Sequence, residues 1–185
     1  MSKFLYIVLC FIMDLILSQI FPFDYALYRL NFIPHVGLMG LMLVARDMDL
    51  GTALIMAFGF GLFLDLTRFG YFMMNAFVFT VTIWVLRQWS NQVNDSLIEL
   101  LILGVLMIFV KEVLVFGILH LLNLTHMSFL VWFAHWQFLS LLGNIPLMGL
   151  AIFGYHWVEG FLSNKDRRRR QGEKTLWMKM LNPYE

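Results

Sequence analysis

Apolar runs recur along the whole chain, and they constrain its fold more than any other feature of the sequence. Six of them can be drawn, at residues 4–21, 33–45, 50–66, 71–86, 97–122 and 129–157. A helix of about 20 apolar residues crosses the hydrocarbon core of a bilayer. Because 61% of the residues are hydrophobic and 14% are charged, the runs predict an all-α polytopic membrane protein with about six transmembrane helices.

Two of the six runs depart from a simple span. The run at 33–45 is short, and we expect it to begin in the Pro34 region or to cross where the membrane is thin. The run at 129–157 contains Pro146. Because proline lacks an N–H, we expect a kink or a split near the middle of that helix.

Basic residues predict which side of the membrane each end of the chain occupies. Lysine and arginine in short flanks favour the cytoplasmic side. With six spans both termini share a side, so Lys3, Arg46, Arg87 and the arginine-rich C-terminus are expected in the cytoplasm. The sequence therefore predicts an integral membrane domain at 1–162 and a basic cytoplasmic tail at 163–185. No nucleic-acid partner is expected, because the other residues would lie in lipid.

The third run carries a stripe of three small residues and one acid. The stripe recurs at every fourth position and consists of Ala53, Ala57, Gly61 and Asp65. Small residues at that spacing let two helices approach closely. The stripe predicts packing against a neighbouring helix of the same chain or, as the sharper hypothesis, a groove for the helix of a partner protein.

Asp65 lies late in the third run, which places it near the outer membrane surface. Desolvation there costs less than the ~2.5–3.5 kcal/mol of a charge at the bilayer centre. Arg68 could pair with Asp65 along the helix, and Thr67 or Asn75 could donate hydrogen bonds to it. A solvated acid at a helix end and a structural or partner-binding acid both fit this position.

The fifth run carries a lysine and an acid side by side, Lys111 and Glu112. Adjacent helical residues point about 100° apart, so we expect each to need its own partner. Asp14 in the first run is the candidate for Lys111, and Asn144 in the sixth is the candidate for Glu112. A structural ion network and an ion or ligand site are both compatible with these four residues.

Histidines and aromatic residues lie mostly near the ends of the runs. The histidines show no helical pairing of the kind that zinc needs, and they are His35, His120, His126, His135 and His156. The aromatic residues are typical of interfacial anchors, and they are Trp132, Trp136, Tyr155 and Trp157. We predict no metal site.

The tail combines a basic run with a second, amphipathic part. The basic run consists of Arg167, Arg168, Arg169 and Arg170. The segment "EKTLWMKML" places Trp177 and other apolar residues among lysines. This pattern predicts a short interfacial helix on the inner leaflet, in contact with membrane lipid. Docking of a cytoplasmic partner is the alternative.

Sequence motifs of the common membrane enzymes do not occur in this chain. It has no G-x-S-x-G, no H-E-x-x-H and no G-x-x-x-x-G-K-[ST]. Asp65 and the pair of Lys111 and Glu112 do not form the spaced acid cluster of metal-dependent lipid transferases. We therefore do not predict an enzyme, and we expect no cofactor.

The stretch from Gly61 to Gly70, "GLFLDLTRFG", resembles the central motif of the MreD family, the rod shape-determining membrane proteins of bacteria. "SQIFPFDYALYRLNFIPHVGLMGLML" resembles the first outer loop and second span of that family, and "DLGTALIM" resembles the start of its third span. Glu112 lies where the fifth span tends to carry an acid, and "LLGNIPLMGL" resembles the last span. The resemblance covers nearly the whole chain before the tail.

This resemblance implies a non-enzymatic scaffold in the bacterial cytoplasmic membrane. Its partners would be MreC and, directly or indirectly, MreB, RodA and a class B penicillin-binding transpeptidase, which together build lateral-wall peptidoglycan and maintain cell shape. Our hypothesis is that the stripe ending in Asp65 helps to hold the membrane helix of MreC.

A substrate-binding S-component of an energy-coupling-factor vitamin transporter is the rival from another class, since MreD resembles those subunits in architecture. Such subunits commonly carry an A-x-x-x-A pair in the first span, which docks their transporter module. The run at 4–21 contains no alanine, and this favours the scaffold.

Overall fold

All regular structure in the described part of the chain is helical. The computed structural model describes residues 2–21, 32–67, 73–93 and 95–181, with the backbone alone for Ser2, Asn91 and 164–181. The helices are α1 (Ser2–Ile20), α2 (Val36–Ala45), α3 (Leu50–Thr67), α4 (Met74–Trp89), α5 (Leu97–Leu121), α6 (Phe129–Trp132) and α7 (Phe138–Leu181). A π-helical segment, Phe133–Gln137, joins α6 to α7, and a short 3₁₀ turn, Ser90–Gln92, follows α4.

Four helical stretches are long and apolar enough to cross a membrane: Lys3–Ile20, Leu50–Thr67, Leu97–Leu121 and Phe129–Ser163. Large apolar side chains cover their outer surfaces, and Ile55 (75% exposed) and Phe153 (73% exposed) are examples. Such exposure suits contact with lipid rather than water. The described part of the chain is therefore all-helical and has membrane character. Two further helices, α2 with 10 residues and α4 with 16, are shorter than these four stretches.

The long helices alternate in direction along the chain, so their ends collect into two polar layers. Lys3 at the start of α1 contacts Asp47 just after α2, and Arg87 near the end of α4 donates to the carbonyl of Arg46. We call this side of the bundle the Lys3 end. Asp65 in α3 contacts the first turn of α4 at the opposite side, the Asp65 end.

Helix α2 lies at the centre of the bundle, and all ten of its residues are buried. It packs on α1, α4 and α7. The residues that lead into it, 32–35, have no regular secondary structure. The helix thus begins two residues after Pro34 and is shorter than the apolar run at 33–45.

Helix α7 departs in part from the sequence-based expectation. Pro146 lies inside α7 and does not split it, and the expected kink there stays a prediction. A change from regular α-helix occurs earlier, in the π-helical segment. The backbone of α7 also continues without a break through 163 to Leu181. The tail is thus helical, but as the direct extension of the last membrane helix rather than as a separate helix.

Candidate functional site

Asp65 caps the first turn of the neighbouring helix α4. Its Oδ1 accepts hydrogen bonds from the backbone N–H of Asn75 at 3.0 Å and from the Asn75 side-chain amide at 2.8 Å. Its Oδ2 accepts from the backbone N–H of Ala76 at 3.0 Å. The first N–H groups of a helix lack partners within that helix and attract negative charge. A carboxylate from α3 therefore supplies the cap of α4, a contact that we call the Asp65 cap.

Gly61 lies one turn before Asp65 and also meets α4. A Cβ added at Gly61 would approach the Cα of Ala76 to 2.5 Å, which leaves no room for any larger residue. Ala53 and Ala57 lie on the same face of α3 and are both fully buried. The stripe thus packs against a helix of this chain, and the face that our hypothesis assigned to a partner is occupied by α4.

Of the three donors considered for Asp65, Asn75 bonds to it. Thr67 instead donates to the carbonyl oxygens of Phe63 and Leu64. Arg68 and Gly70 lie outside the described residues, so the predictions for them remain predictions.

Glu112 lies at the centre of a second constellation, deep between the helices. Its Oε1 is 2.5 Å from the Nζ of Lys111 and 3.0 Å from the Nε2 of His35. The three residues are all less than 9% exposed. Buried charges are tolerated when they are paired, because the opposite charge replaces the lost hydration.

Asn144 of α7 joins this constellation to the irregular segment before α2. Its Oδ1 accepts from the backbone N–H of His35 at 3.0 Å, and its Nδ2 donates to the carbonyl of Ile33 at 2.7 Å. Ser140, one turn earlier, accepts from the N–H of Ile33 at 3.0 Å. Non-helical backbone inside a bilayer must find its hydrogen bonds within the protein. These two side chains therefore allow α2 to start deep in the bundle.

We call His35, Lys111, Glu112, Ser140 and Asn144 the buried polar cluster. It shows one pairing that we did not predict. Lys111 makes an ion pair with the adjacent Glu112, and the pairing of Lys111 with Asp14 stays a prediction. Its long flexible side chain bends back across the 100° step that we expected to separate the two groups.

Asn144 bonds to backbone groups near His35 rather than to Glu112. Asp14 is 2% exposed, and its backbone carbonyl accepts from the hydroxyl of Ser18.

A third constellation, the Lys3 cluster, lies at the Lys3 end and consists of Lys3, Asp47, Tyr155 and Glu159. Lys3 and Tyr155 both donate to Oδ2 of Asp47. The hydroxyl of Tyr155 also lies 3.2 Å from Oε1 of Glu159, and the Nζ of Lys3 lies 3.7 Å from the same oxygen. The contacts tie the start of α1 and the α2–α3 connection to α7. Partial burial raises the pKa of Asp47, but the hydrogen bonds from Lys3 and Tyr155 outweigh it and hold that pKa below its ordinary value.

Sequence reasoning missed several of these residues. His35 was considered only as a metal ligand, and Tyr155 only as an interfacial anchor. A histidine directly after Pro34, at the start of an apolar run, was the available signal for an intramembrane partner of Glu112. No local signal links Tyr155 to Asp47, because the two lie far apart in the chain.

The predicted tail site lies on the backbone-only part of α7. Arg167, Arg168, Arg169, Arg170 and Trp177 are all in helical conformation. Their contact with lipid or a partner remains a prediction.

The chain was compared with protein-family models, curated proteins and solved structures, and no match was found in any of the three.

Proposed function

We propose that this protein is a non-enzymatic membrane scaffold of the MreD type, which binds MreC and supports the peptidoglycan-synthesis complex of cell elongation. The observation that carries the proposal is the Asp65 cap. Asp65 is the central acid of the stretch that resembles MreD, and both its oxygens accept N–H hydrogen bonds from α4. A carboxylate engaged in this way holds α3 and α4 in a defined hairpin, and such a structural role is compatible with a scaffold.

The buried polar cluster supports the same proposal. Glu112 is paired with Lys111 and His35, and Asn144 makes hydrogen bonds with backbone groups before α2. These side chains stabilise the arrangement of α2, α5 and α7. In this proposal, binding of MreC depends on the helix arrangement that the buried polar cluster maintains.

We further propose six crossings, with α2 and α4 as short spans and both termini in the cytoplasm. The antiparallel order of the helices supports this topology. Lys3, Arg46 and Arg87 all lie at the Lys3 end, so the positive-inside rule assigns that end to the cytoplasm.

The face of α3 opposite the stripe is the surface that we propose for the membrane helix of MreC. Ile55 is 75% exposed and Leu66 is 71% exposed on that face. Between them lies Gly59, where an added Cβ would meet nothing within 4 Å. A small residue with open space before it allows a second helix to approach closely.

Gly59 and Gly61 make a test possible, because they are two positions apart and face opposite ways. Gly59→Leu should leave the fold intact and lower the recovery of co-purified MreC by about tenfold, equivalent to ~1.4 kcal/mol. Gly149→Leu in α7 is the matched control, since Gly149 also has open space around it. MreC recovery and cell shape would be measured in cells that carry each variant as the only copy.

Two results would count against these proposals. If the wild-type chain recovers no MreC, the scaffold proposal itself fails. If Gly59→Leu recovers MreC as well as Gly149→Leu does, the assigned face is wrong while the scaffold proposal stands.

A small-molecule subunit of the S-component type is the second candidate, and one observation favours it. The side-chain nitrogen of Gln137, at the end of the π-helical segment, is buried and has no hydrogen-bond acceptor among the described residues. A bound vitamin could supply that acceptor. Mass spectrometry of the purified protein would detect such a ligand, and a stoichiometric vitamin without MreC would favour this candidate.

A further inference from the structure

The continuity of α7 determines how far its last part lies from the membrane. The apolar stretch of this helix ends at Ser163, and the helix itself ends at Leu181. At about 1.5 Å per residue, Trp177 lies about 21 Å beyond Ser163 along the axis. Even a tilt of 40° from the membrane normal leaves about 16 Å.

Lipid contact at Trp177 is therefore inconsistent with an unbroken helix. The headgroup layer is about 5–8 Å thick on each side of the hydrocarbon core. Arg167 and Arg170 lie about 6 and 10 Å beyond Ser163, within or just outside that layer. An amphipathic segment reaches the interface only if it lies in the membrane plane, and a helix without a break does not make that turn.

The segment beyond the arginines nevertheless has the pattern of a docking helix. Its apolar residues share one side of a helix, by their spacing at i, i+1, i+4 and i+5, and they are Leu176, Trp177, Met180 and Leu181. An apolar side in water favours association with another protein surface.

The charge of the segment selects the kind of partner. Residues 163–181 contain seven basic residues and two acidic ones. Two copies of this segment side by side would bring like charges together, which disfavours self-association. An acidic surface would instead be attracted to it.

We propose that the end of α7 is a docking helix for a soluble protein that presents an apolar groove rimmed by acidic residues, on the side of the membrane where α7 emerges. The apolar side of the segment enters the groove, and the lysines at 174 and 179 meet its acidic rim. This inference is independent of the proposed binding of MreC, because it rests on α7 alone.

The first experiment measures the depth of the segment in the full-length protein. A fluorophore is attached to Trp177→Cys in a Cys10→Ala background, in nanodiscs that contain anionic lipid and lipids with brominated chains. The control label is at Phe161→Cys, since Phe161 is 63% exposed on the apolar part of α7. We expect bromine to quench the label at 161 and to leave the label at 177 unaffected. Equal quenching at the two positions would overturn the proposal.

The second experiment identifies the occupant in cells by photocrosslinking. A photoreactive phenylalanine replaces Trp177 and, as the control, Thr175, which lies on the opposite side of the helix from the four apolar residues. We expect a soluble protein to be captured at 177 and not at 175. Capture of lipid, capture of a second copy of this chain, or no capture at all would each contradict the proposal.

The captured protein is then purified and its affinity for the full-length chain is measured in nanodiscs. Leu176→Asp should weaken binding at least tenfold, whereas Thr175→Asp adds the same charge on the other side and should change it less than threefold. Raising the salt concentration should also weaken binding, because the acidic rim contributes electrostatic attraction. Equal effects of the two substitutions would show that the apolar side does not dock.

Discussion

Asp65 and Glu112 are both carboxylates on apolar helices, and the bundle stabilises them in different ways. Asp65 is half-buried near the end of α3 and receives N–H groups from the first turn of α4. Glu112 is 6% exposed in the middle of α5 and is paired with the cation of Lys111 and with His35. A helix start thus stabilises the first carboxylate, and a counter-charge stabilises the second.

The difference shows that the position of a carboxylate along its helix determines which groups can stabilise it. Near a helix end, free N–H groups and the helix dipole are available to a carboxylate. In the middle of a helix the backbone groups already bond to one another, so a carboxylate there depends on side chains. The two sites should consequently respond differently to the loss of the acid and to its rescue.

The largest effect is expected from Glu112→Gln. Removing one member of a buried ion pair leaves Lys111 as an uncompensated charge, which costs about 3–5 kcal/mol. Thermal unfolding in detergent and the amount of folded protein in the membrane would measure the loss. The double variant Lys111→Met with Glu112→Met should recover most of it, since replacing both charges by apolar groups is close to neutral. Failure of the double variant to recover would contradict the pairing.

Asp65→Ala should have the next largest effect. It removes three hydrogen bonds to a charged acceptor and leaves the first turn of α4 uncapped, for a loss of about 2–3 kcal/mol. Asp65→Asn keeps one acceptor oxygen and should lose about half as much. Removing a described cation by a second substitution should rescue neither variant, because among the described residues no cation pairs with Asp65. A rescue of that kind would remove the contrast with Glu112.

Met73→Gly should stabilise the Asp65 end by up to about 1 kcal/mol. Met73 precedes α4 with φ of 63°, a left-handed conformation that glycine adopts without steric cost. The same thermal unfolding assay would detect the gain. Met74→Gly, inside the helix, is the control and should destabilise instead. A loss of stability in Met73→Gly would indicate that the Met73 side chain matters more than the backbone conformation.

Asp47 extends the comparison to a carboxylate near water and should give the smallest effect, below about 1 kcal/mol, as for exposed ion pairs. Its pKa is lowered in the folded protein, so its contribution is present above the pKa of the unfolded chain. That contribution is lost as the pH falls through the lower, folded pKa. Unfolding followed between pH 6 and 3 should therefore show a steeper loss for the wild type than for Asp47→Asn. Parallel curves would mean that the charge of Asp47 contributes nothing to stability.

Much of the fold could be predicted because it depends on local properties. The apolar runs anticipated the long helices, and the four-residue spacing of Ala53, Ala57 and Gly61 indicated close helix packing. Asn75 was among the candidate donors to Asp65, since it follows in the next helix.

The partners within the buried polar cluster could not be predicted in the same way. They depend on how α2, α5 and α7 are rotated and shifted relative to one another. One residue of shift along α7 would separate Asn144 from the backbone before α2, and nothing in a local window reports that register. The adjacent pair Lys111 and Glu112 shows a second limit, because a flexible side chain reaches positions that its Cβ direction does not indicate.

Hydrophobicity and spacing in the sequence alone thus determined that this chain forms apolar helices and that one face of α3 is suited to close packing. These are properties of single segments, and the cost of exposing a backbone to lipid enforces them. Only the tertiary structure decided that α4 occupies that face, that His35 and Lys111 share Glu112, and that α7 continues far beyond its apolar part. The first two depend on distances between segments remote in the chain, which the bundle sets when it packs, and the third depends on the path of a single helix.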